Sequence, residues 1–107
     1  MNKLFFTPSA SEDLLGIKKY IETELDNPVA ALNTIKKIVD SLANLSDFPF
    51  SGVPLYKNID IETEYRYIVC GNYLSFYRYN EKDKTVSVDR IIYTRRDYVE
   101  ILFAKMF

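Results

Sequence analysis

An α+β fold follows from the order in which two kinds of periodicity occur along the chain. Residues 14–45 carry two apolar stripes at helical spacing. Residues 65–93 carry three runs of β-branched and aromatic residues separated by short turns. Helices gathered first and strands afterwards predict α+β rather than an alternating α/β plan. With 107 residues, the chain reads as one domain, 1–107, around one core.

Each element has its own local justification. "KLFFT" (3–7) is a short strand. "SASE" (9–12) has the spacing of a capping box, with Ser9 as N-cap and Glu12 reaching back. Leu14, Ile17, Ile21 and Leu25 then form the first stripe. "DNP" (26–28) ends that helix and starts the next, with Asn27 as N-cap and Pro28 at the first helical position. Leu32, Ile35, Ile38, Val39, Leu42 and Leu45 form the second stripe, so the pair is an antiparallel helical hairpin whose stripes face the core. "SDFPFSGVPLYKN" (46–58) is a loop, and "IDIETE" (59–64) is a weak strand or more loop. "YRYIVC", "YLSFYRY" and "TVSVDRIIY" are three strands of an antiparallel meander, joined at Gly71-Asn72 and at "NEKDK" (80–84). "RRDYVEILFAKMF" ends the chain as a short helix with Tyr98, Ile101, Leu102 and Met106 near one side. The expected order is β-α-α-β-β-β-α, with the N-terminal strand and the meander making one twisted sheet.

The two-residue hairpin fixes a register, in which Cys70 faces Tyr73, Val69 faces Leu74, Tyr67 faces Phe76 and Tyr65 faces Arg78. One sheet face then holds Tyr65, Tyr67, Val69, Leu74, Phe76 and Arg78; the other holds Arg66, Ile68, Cys70, Tyr73, Ser75 and Tyr77. Neither face is polar, so both are expected to be covered. The helical hairpin covers one, and the C-terminal helix, a partner, or both cover the other. An apolar, aromatic face with little to cover it marks a protein interaction site.

Composition excludes several chemistries. The chain has no histidine, which removes His-based acid–base catalysis, His triads and His-ligated metals. One cysteine, Cys70, allows neither an intramolecular disulfide nor a cysteine-cluster metal site, and beside a turn it reads as a small strand residue. No cofactor or metal is implied. No apolar stretch is long enough to span a bilayer, and the N-terminus lacks a signal-peptide core, so the expectation is a cytoplasmic protein without membrane contact.

The net charge of −1 hides an asymmetry. Residues 1–64 hold six lysines, no arginine and ten acids; residues 65–107 hold five arginines and three lysines against five acids. Arginine offers a planar fork suited to phosphate and carboxylate, so the C-terminal half is the anion-facing half. Within it, "DRIIYTRRDYVEIL" (89–102) gathers Arg90, Arg95 and Arg96 with Tyr93 and Tyr98 where a strand becomes a helix. Arg66 is placed to pair with a buried acid such as Asp89, and Arg90 can be structural in the same way.

The plan together with "NPVAAL", "LxxFPFSGxPL", "YRYIVCGNYLSFYRY" and "VDRIIYTRRDYVEIL" resembles the RelE/ParE superfamily of toxins from bacterial type II toxin–antitoxin systems, over nearly the whole chain. The resemblance implies two helices on a twisted antiparallel sheet, growth inhibition, plasmid stabilisation, and a cognate antitoxin that wraps the sheet's other face. It also implies one of two mechanisms. RelE-like members cleave mRNA on the ribosome; ParE-like members inhibit DNA gyrase without catalysis of their own. The sequence departs from the nuclease pattern. The arginine expected after the strand-3 tyrosine is Leu74, the C-terminal catalytic tyrosine falls on Leu102, and the expected lysines fall on Tyr65 and Tyr67. Only the arginine after the last strand is kept, at Arg96 or Arg95. A pI near 5.4 is also a poor match to a nuclease that must approach a dense field of phosphates. The ParE-like reading is therefore preferred, with the endoribonuclease reading open beside it. Residues for target or antitoxin binding are Tyr65, Tyr67, Phe76, Arg78, Arg95, Arg96 and Tyr98. If the chain is a nuclease, its catalytic group is to be sought among Arg78, Arg90, Tyr93, Arg95, Arg96 and Tyr98.

Overall fold

Thr7, rather than Ser9, starts the first helix. In the computed structural model, which describes residues 2–103, strand β1 (Lys3–Phe6) runs directly into helix α1 (Pro8–Thr23). The Thr7 hydroxyl accepts from the Ala10 amide at 3.2 Å, and Pro8 occupies the first helical position. Proline suits that position because its missing N–H has no helical partner there anyway. The capping box at Ser9 is thus displaced by a stronger start signal two residues earlier. The second helix, α2 (Pro28–Leu42), begins as the sequence predicts, with the Asn27 side chain accepting from the Ala30 amide at 3.0 Å.

Strand β2 is only Val53–Pro54, a piece of structure inside what the sequence reads as loop. Single 3-10 turns flank it at Ala43–Ser46 and Leu55–Lys57. Strands β3 (Arg66–Cys70), β4 (Tyr73–Asn80) and β5 (Thr85–Tyr93) follow, then helix α3 (Tyr98–Phe103). Met106 lies outside the described residues. The sheet order is β1-β5-β4-β3-β2, with β1 parallel to β5 and the other pairs antiparallel. Gly71 takes φ +57°, the left-handed first position that a two-residue hairpin of the II′ type needs. The resulting register pairs Cys70 with Tyr73, Val69 with Leu74 and Tyr67 with Phe76, as the sequence implies. Tyr65 falls just outside β3, although the Arg78 guanidinium still lies over its ring.

Both faces of the sheet are covered. On one, Ile38, Leu42 and Leu45 of the hairpin region pack with Tyr77, Val86, Val88 and Ile91. On the other, Leu55, Phe76, Ile92 and Phe103 make a second, smaller core, flanked by Tyr65, Tyr67 and Tyr98. The helical stripes are narrower than the sequence suggests. Ala31, Ile38 and Leu42 form the buried line of α2, while Leu32 and Val39 sit about 100° round from it and are exposed. Leu25 lies past the end of α1 and is exposed too.

One buried phenol ties the Phe48–Gly52 loop to the core. The fully buried Tyr77 donates to the Pro49 carbonyl at 2.8 Å and accepts from the Gly52 amide at 2.9 Å. A Cβ on Gly52 would meet the Tyr77 hydroxyl at 2.5 Å. Gly52→Ala should therefore destabilise the fold by about 1–3 kcal/mol through overpacking. Tyr77→Phe should cost about 1–3 kcal/mol because a buried donor and acceptor lose their partner. Urea unfolding checks both, and an unchanged midpoint would remove the clamp from the account.

Candidate functional site

β5 is interrupted by a bulge, and the bulge organises the charged groups. Phe76 pairs with Arg90 and the next residue, Tyr77, pairs with Val88, which leaves Asp89 as the extra residue. A bulge re-aims the side chain of the residue it adds. Asp89 is only 7% exposed, and its carboxylate accepts from Arg78 Nε at 2.7 Å, from the Tyr65 hydroxyl at 3.0 Å and from Ser87. Its backbone carbonyl accepts from Thr7 at 3.0 Å. The sequence expectation that Arg66 pairs with Asp89 is overturned: Arg66 instead donates to the carbonyls of Phe50 and Gly52, at 3.2 and 2.9 Å. The paired strands put Arg66 beside Tyr77 and β2, so it reaches the loop rather than the bulge.

Arg90 is held as tightly as Arg78. Its Nε and Nη2 donate to the two oxygens of Asp13 on α1, at 2.7 and 3.0 Å, and the Ile91 amide adds 2.9 Å to the same carboxylate. This two-pronged geometry is the strong form of an arginine–carboxylate contact, and the Asp13 hydrogen bond raises the Arg90 pKa. For Arg78, burial works against the charge but Asp89 and Tyr65 outweigh it, and its pKa rises as well. Tyr65 is held in its neutral, protonated form. Burial, then the charge and hydrogen bond of Asp89, push its phenol up to about 12, partly offset by Arg78 and Arg90.

Tyr93, Arg95 and Arg96 stand at the other end of β5, all exposed. The turn they form is tied to the hairpin tip by the Thr94 amide on the Asn72 carbonyl at 2.8 Å. Asp97 caps α3 by accepting from the Glu100 amide at 3.1 Å. Beside this turn, a cleft of about 780 Å³ opens between α1, α2 and the end of the sheet. Arg90, Tyr93 and Arg96 line it together with Tyr20, Tyr73 and Asn72, over an apolar wall that includes Ile17, Ile21 and Ile91. The Tyr73 and Tyr93 rings lie 5.8 Å apart. Burial and then the neighbouring Tyr93 and Tyr20 raise the Tyr73 pKa.

The sequence candidates therefore divide into two groups. Arg90, Tyr93 and Arg96 share the cleft, with Arg95 next to them. Tyr65, Tyr67, Phe76, Arg78 and Tyr98 lie on the opposite face of the sheet. There the Tyr98 ring stacks on Phe76 at 5.4 Å, and Phe76 is fully buried beneath it and Tyr67. Phe76 has no surface to offer while α3 is seated. Tyr20, Tyr73, Asn72 and Asp13 were not singled out from sequence. Tyr73 was within reach: extending the hairpin register across β4 sets it opposite Tyr93. Asp13 and Tyr20 depend on where α1 crosses β5, which no local pattern specifies.

The raised Tyr65 pKa carries a stability consequence. A group whose folded pKa exceeds its unfolded value stabilises fully below the unfolded pKa and loses that stabilisation as pH rises through the folded one. The contribution of Tyr65 is complete below pH 10.0 and is lost as pH rises to about 12. The stability gap between wild type and Tyr65→Phe should narrow across that window in pH-resolved urea unfolding. A gap that stays constant or widens there would contradict the Asp89 contact.

The family model described as the ParE toxin of the type II toxin–antitoxin system parDE matches residues 4–98. No curated protein sequence matches at a significant level. Among solved structures, the chain is similar to one from the chromosomal ParDE system of P. aeruginosa, with 21% identity over 89% of this chain and 98% of that one, at a TM-score of 0.74. It is also similar to a chain of the RelBE2 toxin–antitoxin complex of Mycobacterium tuberculosis, with 20% identity over 86% and 96% and a TM-score of 0.56. The isolated E. coli RelE toxin aligns over 99% of this chain and 98% of its own at 14% identity and a TM-score of 0.53. These likenesses show a shared RelE/ParE-like fold, and the family match over residues 4–98 shows that this chain belongs to the ParE toxin family of type II toxin–antitoxin systems.

Proposed function

We propose that the chain is a growth-inhibiting toxin of the bacterial cytoplasm that acts by binding DNA gyrase and is neutralised by a cognate antitoxin. The observation that carries the non-enzymatic reading is the state of its arginines. A histidine-free nuclease needs cations free to hold phosphate and a tyrosine able to move a proton. Here Arg78 and Arg90 are already bound to Asp89 and Asp13. Tyr65, the tyrosine beside Arg78, holds its proton up to about 12. The family match and the higher TM-score to the ParDE structure than to RelE agree with this reading. The antitoxin proposal draws on the neighbours, two of which come from a ParDE system and a RelBE2 toxin–antitoxin complex, and on the exposed aromatic and arginine groups at the cleft. For target or antitoxin contact we assign Tyr93, Arg95 and Arg96 at the cleft, with Tyr65, Tyr67 and Tyr98 on the opposite face, while Arg78 is held by Asp89.

The second reading, ribosome-dependent mRNA cleavage, is favoured by one observation: Arg95 and Arg96 are exposed side by side near Tyr93. Pulse labelling after induction separates the two. Gyrase inhibition stops thymidine incorporation first, with double-strand breaks that depend on gyrase. A first collapse of methionine incorporation, with cut mRNA, would favour cleavage.

Two sets of substitutions test the site itself. Arg95→Ala with Arg96→Ala should abolish growth arrest while leaving stability within about 1 kcal/mol, as exposed positions do. Retained toxicity would take both arginines out of the site. Tyr93→Phe should leave arrest nearly intact and Tyr93→Ala should weaken it, because an aromatic anchor acts through its ring. A cleavage mechanism using the Tyr93 hydroxyl predicts the reverse, a loss of roughly 10²–10⁴-fold already in Tyr93→Phe.

A further inference from the structure

The Phe48–Gly52 loop is held rigidly and yet turns its two largest side chains outward. Pro49 and Gly52 are buried and are bound to the Tyr77 hydroxyl from either side. Arg66 Nη1 bridges the Phe50 and Gly52 carbonyls, and its guanidinium lies 5.1 Å from the Phe50 ring centroid. The Tyr79 ring meets Phe50 edge-on at 5.2 Å. Against this anchoring, Phe48 is 63% and Phe50 57% exposed, with Val53 exposed next to them. Aromatic side chains fixed in advance lose little freedom on binding, which is what makes such residues effective anchors.

Arg66 adds a charge without a counter-charge. Arg78 and Arg90 each have a carboxylate within 4 Å, whereas among the described residues Arg66 has only carbonyls and an aromatic face. Such a surface is complementary to a carboxylate set beside a large apolar group. Nucleic acid is a poorer match. Residues 43–52 carry Asp47 and no basic residue, so a phosphate chain following the loop meets negative charge.

The loop is also separate from the cleft. Tyr79, which contacts Phe50, lies six residues along β4 from Tyr73, which lines the cleft. At about 3.3 Å per residue the two surfaces are roughly 20 Å apart. We propose that Phe48, Phe50 and Arg66 form a second docking surface, which receives an acid-bearing apolar segment of the target protein rather than the antitoxin. The proposal rests on the reading of the chain as a toxin that acts by binding protein. A target much larger than this domain, seated on the loop, collides with anything bound 20 Å away, so neutralisation requires no shared contact.

The test is the Phe48→Ser with Phe50→Ser variant, read in three ways: growth arrest on induction, affinity for the purified cognate antitoxin, and urea midpoint. Arrest should be lost at least 10-fold in inducer dose, with antitoxin affinity within threefold of wild type. Full arrest by the variant overturns the proposal. So does a loss of antitoxin affinity alongside toxicity, which assigns the loop to the antitoxin. Binding of wild type, but not of the variant, to a single-stranded RNA oligonucleotide overturns it in favour of nucleic acid. Should the double variant unfold, Phe48→Ser alone is read by the same outcomes, because that ring makes no aromatic contact among the described residues. Growth arrest by wild type with thymidine incorporation intact counts against gyrase as the target, while the comparison of wild type with variant still decides the loop.

Discussion

The Asp89 carboxylate gathers three side chains from three segments of the sheet region. It lies in the bulge of β5 and binds Arg78 from β4, Tyr65 from the approach to β3 and Ser87 from its own strand, while its carbonyl holds the Thr7 cap of α1. A buried carboxylate is costly unless its oxygens are filled with good donors. Here they are, and the consequence is a fixed geometry. The same bulge sets Arg90 and the Ile91 amide against Asp13, which fastens α1 over β5. The cleft between the helices and the end of the sheet exists because α1 is held there.

That constraint reassigns the arginines. The chain concentrates them in its C-terminal half, and read from sequence they form one anion-facing group. In the folded protein they divide by partner. Arg78 and Arg90 are bound by carboxylates, Arg66 by carbonyls and a phenylalanine ring, and Arg95 and Arg96 stand exposed beyond the last strand. Arg78 and Arg90 therefore serve the architecture, and Arg66, Arg95 and Arg96 keep a charge that no carboxylate among the described residues matches. A surface built this way suits recognition of another macromolecule, with rigid aromatic groups at the cleft and charge at its edge.

Much of the fold was legible because its signals are local. Asn27-Pro28 marks a helix start by itself, and Gly71-Asn72 fixes a register that correctly sorts Tyr67 and Phe76 from Ile68 and Tyr77. The covering of both sheet faces followed from that register, since neither face was polar. What was missed depends on contacts between distant segments. The bulge at Asp89 has no sequence mark, and it is the bulge that brings Arg78 rather than Arg66 to this carboxylate. The burial of Phe76 follows from Tyr98 and Leu55 closing over it, and α3 is too short for its seat to be read from periodicity. The parallel pairing of β1 with β5 likewise requires the helical hairpin to return the chain across the sheet.

The central claim is that the exposed aromatic and arginine groups act by binding protein, while the paired arginines are structural. DNA supercoiling by purified gyrase in the presence of the purified chain tests it most directly, with primer extension on ribosome-bound mRNA run on the same preparation. The account predicts that supercoiling stops at toxin concentrations near that of gyrase and that the mRNA stays whole. Uninhibited supercoiling together with cleaved mRNA would contradict it.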